Sequence, residues 1–108
     1  MFNLTAVGRL TADPVLNTYG DNTVCKMSIA TDRYIGSKDG KPQTETDYLD
    51  IEVWGAQAAV HAEQLGKGHM ISAQGDLVQQ RWQTDDGTKR SKHALKPERI
   101  EYLAKPNS

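Results

Sequence analysis

The sequence predicts an all-β domain interrupted by one short helix. Apolar residues alternate with polar ones over several short segments, and clusters of Gly, Pro, Asp and Asn separate those segments. Only residues 56–65 switch to a helical period. At 108 residues the chain has single-domain length, and at 37% hydrophobic and 25% charged it is globular but lean in apolar content.

The first strand covers residues 2–10, with Gly8 as a candidate bulge. Residues 11–14 and 19–22 carry turn chemistry. The second strand, residues 23–35, alternates Cys25, Met27 and Ile29 with Lys26, Ser28 and Ala30, and a polar, Gly-rich loop tip follows at 36–42. The third strand runs from about 44 to 54, with Leu49, Ile51 and Val53 as its core face. Tyr48 and Trp54 therefore share the opposite face with Asp50 and Glu52. Large aromatics on a polar face mark a contact surface.

In residues 56–65, Ala58, Ala62 and Leu65 fall on one helical stripe, with Gly66 at the C-terminal cap position. Alternation resumes from Gly68 through Ile71, Ala73, Gly75 and Leu77 to Trp82. Residues 84–88, which contain Asp86-Gly87, form a hairpin turn, and the last strand covers 89–103. Pro97 lies inside that strand and cannot donate to a ladder, so the strand is broken, bulged or at an edge there. Five strands with one helix between the third and fourth is the element order of the OB-fold, a five-stranded Greek-key barrel. Residues 1–104 form this domain, and residues 105–108 a short C-terminal end.

Several function classes are excluded. No apolar run approaches the roughly 20 residues of a membrane span, and the N-terminus lacks the pattern of a signal peptide. The single cysteine, Cys25, permits no internal disulfide, which fits a reducing cytoplasm, and it alternates with core residues as a buried, inert thiol. His61, His69 and His93 have no metal-ligand spacing, and neither a phosphate-binding Gly-rich loop nor a nucleophile elbow is present. The expectation is a non-enzymatic protein with no metal and no other cofactor.

Net charge is −1, but its distribution is uneven: residues 1–80 hold six Lys/Arg against ten Asp/Glu, and residues 81–108 seven against four. Aromatics interleave with bases at Arg33-Tyr34 and Arg81-Trp82, and Lys89-Arg90 returns on the other side of the hairpin. Unpaired nucleic-acid bases require that pattern. Each base stacked on an aromatic ring contributes ~1–3 kcal/mol whatever its identity. Phosphates need Lys and Arg, whose binding releases counterions. The candidate platforms are Tyr34, Tyr48, Trp54 and Trp82, and the candidate phosphate contacts are Arg33, Arg81, Lys89 and Arg90, followed by Arg9, Lys26 and Lys67. Tyr19, in a turn, and Tyr102, near the end of the last strand, read as packing residues.

The same residues carry a family resemblance. Val7-Gly8-Arg9-Leu10-Thr11-Ala12-Asp13-Pro14 resembles the opening motif of bacterial single-stranded DNA-binding proteins. Ile29-Ala30-Thr31 with Arg33-Tyr34 is similar to that family's second strand. Thr46-Asp47-Tyr48, then Val53-Trp54-Gly55 and Leu65-Gly66-Lys67-Gly68, follow its third strand and helix in order and spacing. Gly75-Asp76-Leu77, Arg81-Trp82, Asp86-Gly87 and Lys89-Arg90 resemble its long final hairpin.

The resemblance spans about residues 2–103. It implies a homo-oligomer, usually a tetramer, with a dimer as the alternative for this chain, that coats single-stranded DNA with little sequence preference in replication, recombination and repair. It also implies that Tyr34, Tyr48, Trp54 and Trp82 stack bases. Most members continue into a flexible linker with an acidic, hydrophobic tip that recruits replication proteins. The sequence ends at Ser108, so recruitment of that kind is not expected. Two alternatives stay open at this level: a primosome-type accessory OB protein, and a protein-interaction OB module whose outer aromatics fill a subunit interface.

Overall fold

Two long antiparallel hairpins dominate the chain, and the turns that close them decide how far each one reaches. A computed structural model describes residues 1–106. The elements are β1 (Asn3–Leu10), β2 (Val15–Tyr19), β3 (Asn22–Lys38), β4 (Lys41–Trp54), α1 (Ala56–Gln64), β5 (Met70–Gln83) and β6 (Lys89–Tyr102). Asn107 and Ser108, the end of the expected C-terminal segment, lie outside the described residues.

The described residues are mostly β with one short helix, as expected, but they form six strands rather than five. The additional strand is β2. Its residues Val15, Asn17 and Tyr19 alternate with Leu16 and Thr18, and Gly20-Asp21 joins it to β3. Gly20 has φ 60°, and a two-residue turn of this kind is a hairpin connection. What the sequence suggests is an isolated turn thus links two paired strands.

The loop tip expected at 36–42 contracts to Asp39-Gly40, with φ of 54° and 77°. Positive φ at both central residues gives the turn whose twist matches its flanking strands. β3 and β4 therefore pair out to Lys38↔Lys41, with one irregularity between Tyr34 and Gly36. β5 and β6 pair out to Gln83↔Lys89. Both hairpins run past the core as arms, so the Cα radius of gyration is 15.9 Å, against about 13 Å for a compact chain of this length.

β1 lies along β5 from Asn3↔Asp76 to Arg9↔Met70, and β5 pairs along most of β6. β6 meets β4 in parallel only at Asp50↔Ala94 and Ile51↔Leu95, and β1 meets β3 only at Arg9↔Ala30 and Leu10↔Ile29. Gly8 makes the second meeting possible, because a Cβ there would lie 2.7 Å from the Ala30 carbonyl oxygen. Gly8 thus serves close backbone approach rather than the expected bulge. The bulge lies between Gln74 and Gly75, where pairing shifts from Arg99 to Pro97. A residue without an N–H thus sits where the ladder is already interrupted.

The inward faces meet in a core that includes Ile29, Ile51, Ile71 and Leu95, with Ala58 of α1 and Leu65 just beyond it. Cys25 is fully buried there, and burial raises its thiol pKa, which keeps the sulfur protonated and inert. The helix ends without the expected glycine cap: Leu65 is extended and its N–H donates to the His61 carbonyl at 3.0 Å.

Candidate nucleic-acid interface

Strand register assigns each predicted residue to a face. Leu49, Ile51 and Val53 point inward, so Tyr48, Asp50, Glu52 and Trp54 point outward. Cross-strand partners share a face, which carries the assignment to β3 through Ala30↔Tyr48, Ser28↔Asp50 and Lys26↔Glu52. Tyr34, four residues beyond Ala30, follows on the same side. The pair Asp50↔Ala94 extends the outward face to β6, and Gln80↔Lys92 and Trp82↔Arg90 extend it along the second arm.

Tyr34, Tyr48, Trp54 and Trp82 therefore stand on the outward face together with Lys26 and Arg90. Their rings are open to solvent, at 62%, 69%, 44% and 47% exposure respectively. Tyr34 is steadied by a hydroxyl–hydroxyl hydrogen bond to Ser37 Oγ at 2.8 Å.

The other predicted bases are distributed differently. Arg33 faces away from Tyr34 and is held by two carboxylates: its Nε donates to Asp47 Oδ2 at 2.9 Å and its Nη2 to Glu45 Oε2 at 3.4 Å. Arg81 and Lys89 alternate with Trp82 and Arg90 along their strands, yet all four line one cleft of about 460 Å³ that follows the arm. Arg9 Nη1 donates to the Gly68 carbonyl at 2.8 Å, and the Lys67 N–H donates to Asp13 Oδ1 at 2.8 Å, so both sit near the turn between α1 and β5.

Glu52 departs from the simple polar-face expectation. It lies on the outward face but is only 4% exposed. Gln80 Nε2 reaches over from β5 to its Oε1 at 3.0 Å, and Lys92 Nζ from β6 stands 3.7 Å from Oε2. A buried carboxylate needs such partners. Beside it a cleft of about 290 Å³ runs under the segment after β1, lined by Asp13, Lys26, Ser28, Asp50 and Lys92 among others. Sequence reasoning missed Lys92 in this setting. Its register opposite Gln80, two residues along from Arg90, is the signal that could have found it.

The sequence reads Tyr19 as a packing residue in a turn, whereas the structure places it on β2. It ends that strand half exposed, with its ring 6.1 Å from that of Trp54 and tilted by 36°, and with Lys26 Nζ 5.8 Å from its centroid. Tyr102, by contrast, is a packing residue as expected. Its hydroxyl meets His61 Nδ1 at 2.6 Å and its ring edge packs against His69. Burial lowers the His61 pKa and raises that of Tyr102, so both stay neutral at neutral pH. His69 lies just before β5.

Fold and surface together define an all-β protein with an outward face of exposed aromatic rings bordered by Lys and Arg. Residues 1–103 match the model of the single-strand binding protein family, and the chain belongs to that family. It is 33% identical to a single-stranded DNA-binding protein of Wolinella succinogenes, over 95% of this chain and 65% of that one. It is 35% identical to one from Clostridium tetani, over 95% of this chain and 70% of that one. The chain thus spans about two thirds of the length of these relatives. Among solved structures, a Plasmodium falciparum SSB in complex with ssDNA shares the fold, with a TM-score of 0.84 at 19% identity and 96% coverage of both chains.

Proposed function

We propose that this protein binds single-stranded DNA with little regard to base sequence and protects it during replication, recombination and repair. The observation that carries the reading is the common outward face of Tyr34, Tyr48, Trp54 and Trp82. Four exposed rings along one surface suit a chain of unpaired bases, each of which has a π-face to offer. Arg90, Lys26 and Lys92 stand among the rings and meet phosphates there. Arg81 and Lys89 border the same arm, and Arg33, Arg9 and Lys67 add attraction from farther off. The names of the family relatives support the same ligand.

The fold acts as a five-stranded Greek-key barrel over residues 1–104, with β2 as an added hairpin strand. The cycle of pairings β1–β5–β6–β4–β3 and back to β1 supports closure. Between Asn3 and Gly8, β1 pairs with β5 on one side only. An open edge of that length suits a second copy, so the protein works as a homo-oligomer, a dimer or tetramer. It acts in the cytoplasm as a binding protein, without a metal or other cofactor.

Titration with oligo(dT), read by intrinsic tryptophan fluorescence, tests the function. Strong quenching is expected, with an affinity that falls steeply as salt rises and little binding to duplex of the same sequence. Equal affinity for duplex, or no salt dependence, overturns the reading. Light scattering on the same sample tests assembly.

A further inference from the structure

Tyr19 has the surroundings of a ligand-binding ring rather than of a packing residue. Its side chain is 53% exposed, more than that of Trp54. Its ring meets the Trp54 ring and the Lys26 ammonium, whereas Tyr102 has its hydroxyl fixed by His61. Tyr19 sits on the outward face of β2, two residues from Asn17, the partner of Val24, which is in turn the partner of Trp54. The row Tyr19–Trp54 thus continues the aromatic surface beyond its predicted edge.

The ring geometry limits what this pair can hold. Centroids 6.1 Å apart with a 36° tilt leave no parallel slot between the rings. A base between them would need about 6.8 Å, twice the ~3.4 Å rise per nucleotide. The two rings, each about half exposed, can instead meet two different bases. Lys26 Nζ stands over the Tyr19 ring, 5.8 Å from its centroid, within reach of a phosphate on a strand that crosses the pair.

We propose that Tyr19 is a further base platform, taking the nucleotide next to the one on Trp54, with Lys26 pairing the phosphate between them. This rests on the single-stranded DNA reading. It assigns a binding role to β2 and makes the edge hairpin part of the path of the strand.

The test joins two measurements on the whole chain. Oligo(dT) carrying single 5-iodouracil substitutions is irradiated with the unaltered protein, and the adducts are mapped by mass spectrometry. Tyr19→Leu and Tyr19→Phe are then titrated with oligo(dT), with their thermal melts as a check on folding. Adducts on Tyr19 are expected, together with a loss of about tenfold for Tyr19→Leu and near-parental affinity for Tyr19→Phe, since stacking uses the ring and not the hydroxyl. A folded Tyr19→Leu that binds like the parent overturns the platform. If Tyr19→Leu fails to fold, the absence of any Tyr19 adduct in the parent overturns it instead. A parent that does not bind oligo(dT) overturns the single-stranded DNA reading, and the platform with it.

Discussion

Arg33 and Asp47 close a two-point ion pair across the first arm, with Nε to Oδ2 at 2.9 Å and Nη2 to Oδ1 at 3.3 Å, on the side away from Tyr34. The hydrogen bond from Arg33 pulls the Asp47 pKa below the usual carboxylate range, and Asp47 in turn raises that of Arg33. The pair is solvent-exposed, so its weight in stability is small. Its larger effect is on charge. Asp47→Asn removes a negative charge from the arm and leaves Arg33 with Glu45 alone, and low-salt affinity for oligo(dT) is expected to rise about two- to fivefold with a steeper salt slope. Titration at several salt concentrations checks this, and unchanged affinity and slope would mean that Arg33 never reaches a phosphate.

Trp82 and Arg90 are cross-strand partners on the outward face of the second arm, so one nucleotide can meet both. Trp82→Ala should lose ~1–3 kcal/mol of binding with little change in salt slope. Arg90→Ala should lose less but flatten the slope by about one ion. A shared nucleotide predicts that the double variant loses less than the sum of the two single losses. Strict additivity in that cycle would place them on different nucleotides.

Gly75 sits at the bulge, where a Cβ would lie 2.3 Å from the Lys96 carbonyl oxygen and 2.6 Å from the Pro97 Cα. Both obstacles are backbone and cannot rotate away. Gly75→Ala should cost at least ~1–3 kcal/mol, in the range of overpacked cores. Urea melts check it, and an unchanged midpoint would show that the bulge can widen freely.

The tip of the second arm is tied by Asp86, which accepts hydrogen bonds from Thr84 Oγ1 and, at 2.9 Å, from the Thr88 N–H. The Thr84 bond first, then that of Thr88, lowers the Asp86 pKa to about 2. A depressed carboxylate pKa stabilises the turn above the ordinary value of about 3.9. That support fades as pH falls through about 2. The Thr88 amide shift, followed by NMR in acid, should titrate with a midpoint near 2. A midpoint near 4 would mean that the turn does not hold its carboxylate.

Much of the binding face was legible because parity is a local property. Once Leu49, Ile51 and Val53 are assigned to the core, Tyr48 and Trp54 have nowhere to point but outward. What escaped depended on contacts distant in sequence. The burial of Glu52 depends on Gln80 and Lys92, 28 and 40 positions away, and no periodicity within β4 announces them. Gly8 reads as a bulge because the carbonyl it must clear belongs to Ala30 on another strand. β2 escaped for a different reason: Pro14 and Gly20-Asp21 bracket so short a segment that its turn chemistry outweighs its alternation.

Backbone pairing divides the sheet into two halves, β2–β3–β4 and β1–β5–β6, joined along two short seams. One seam is Asp50↔Ala94 and Ile51↔Leu95, the other Arg9↔Ala30 and Leu10↔Ile29. Each half owns one arm, so Tyr34 and Trp82 belong to different halves. Their separation is governed by side-chain packing across the core far more than by ladder hydrogen bonds. The two halves are thus held together chiefly by the core they share, with Ile29 and Ile51 from one packed with Ile71 and Leu95 from the other. On the proposed face, a strand reaching from Trp54 to Trp82 would bridge the two halves. Amide exchange at Thr11, whose N–H donates to the Ser28 carbonyl at 2.9 Å beside one seam, and at Leu95 on the other, should accordingly slow when oligo(dT) is added.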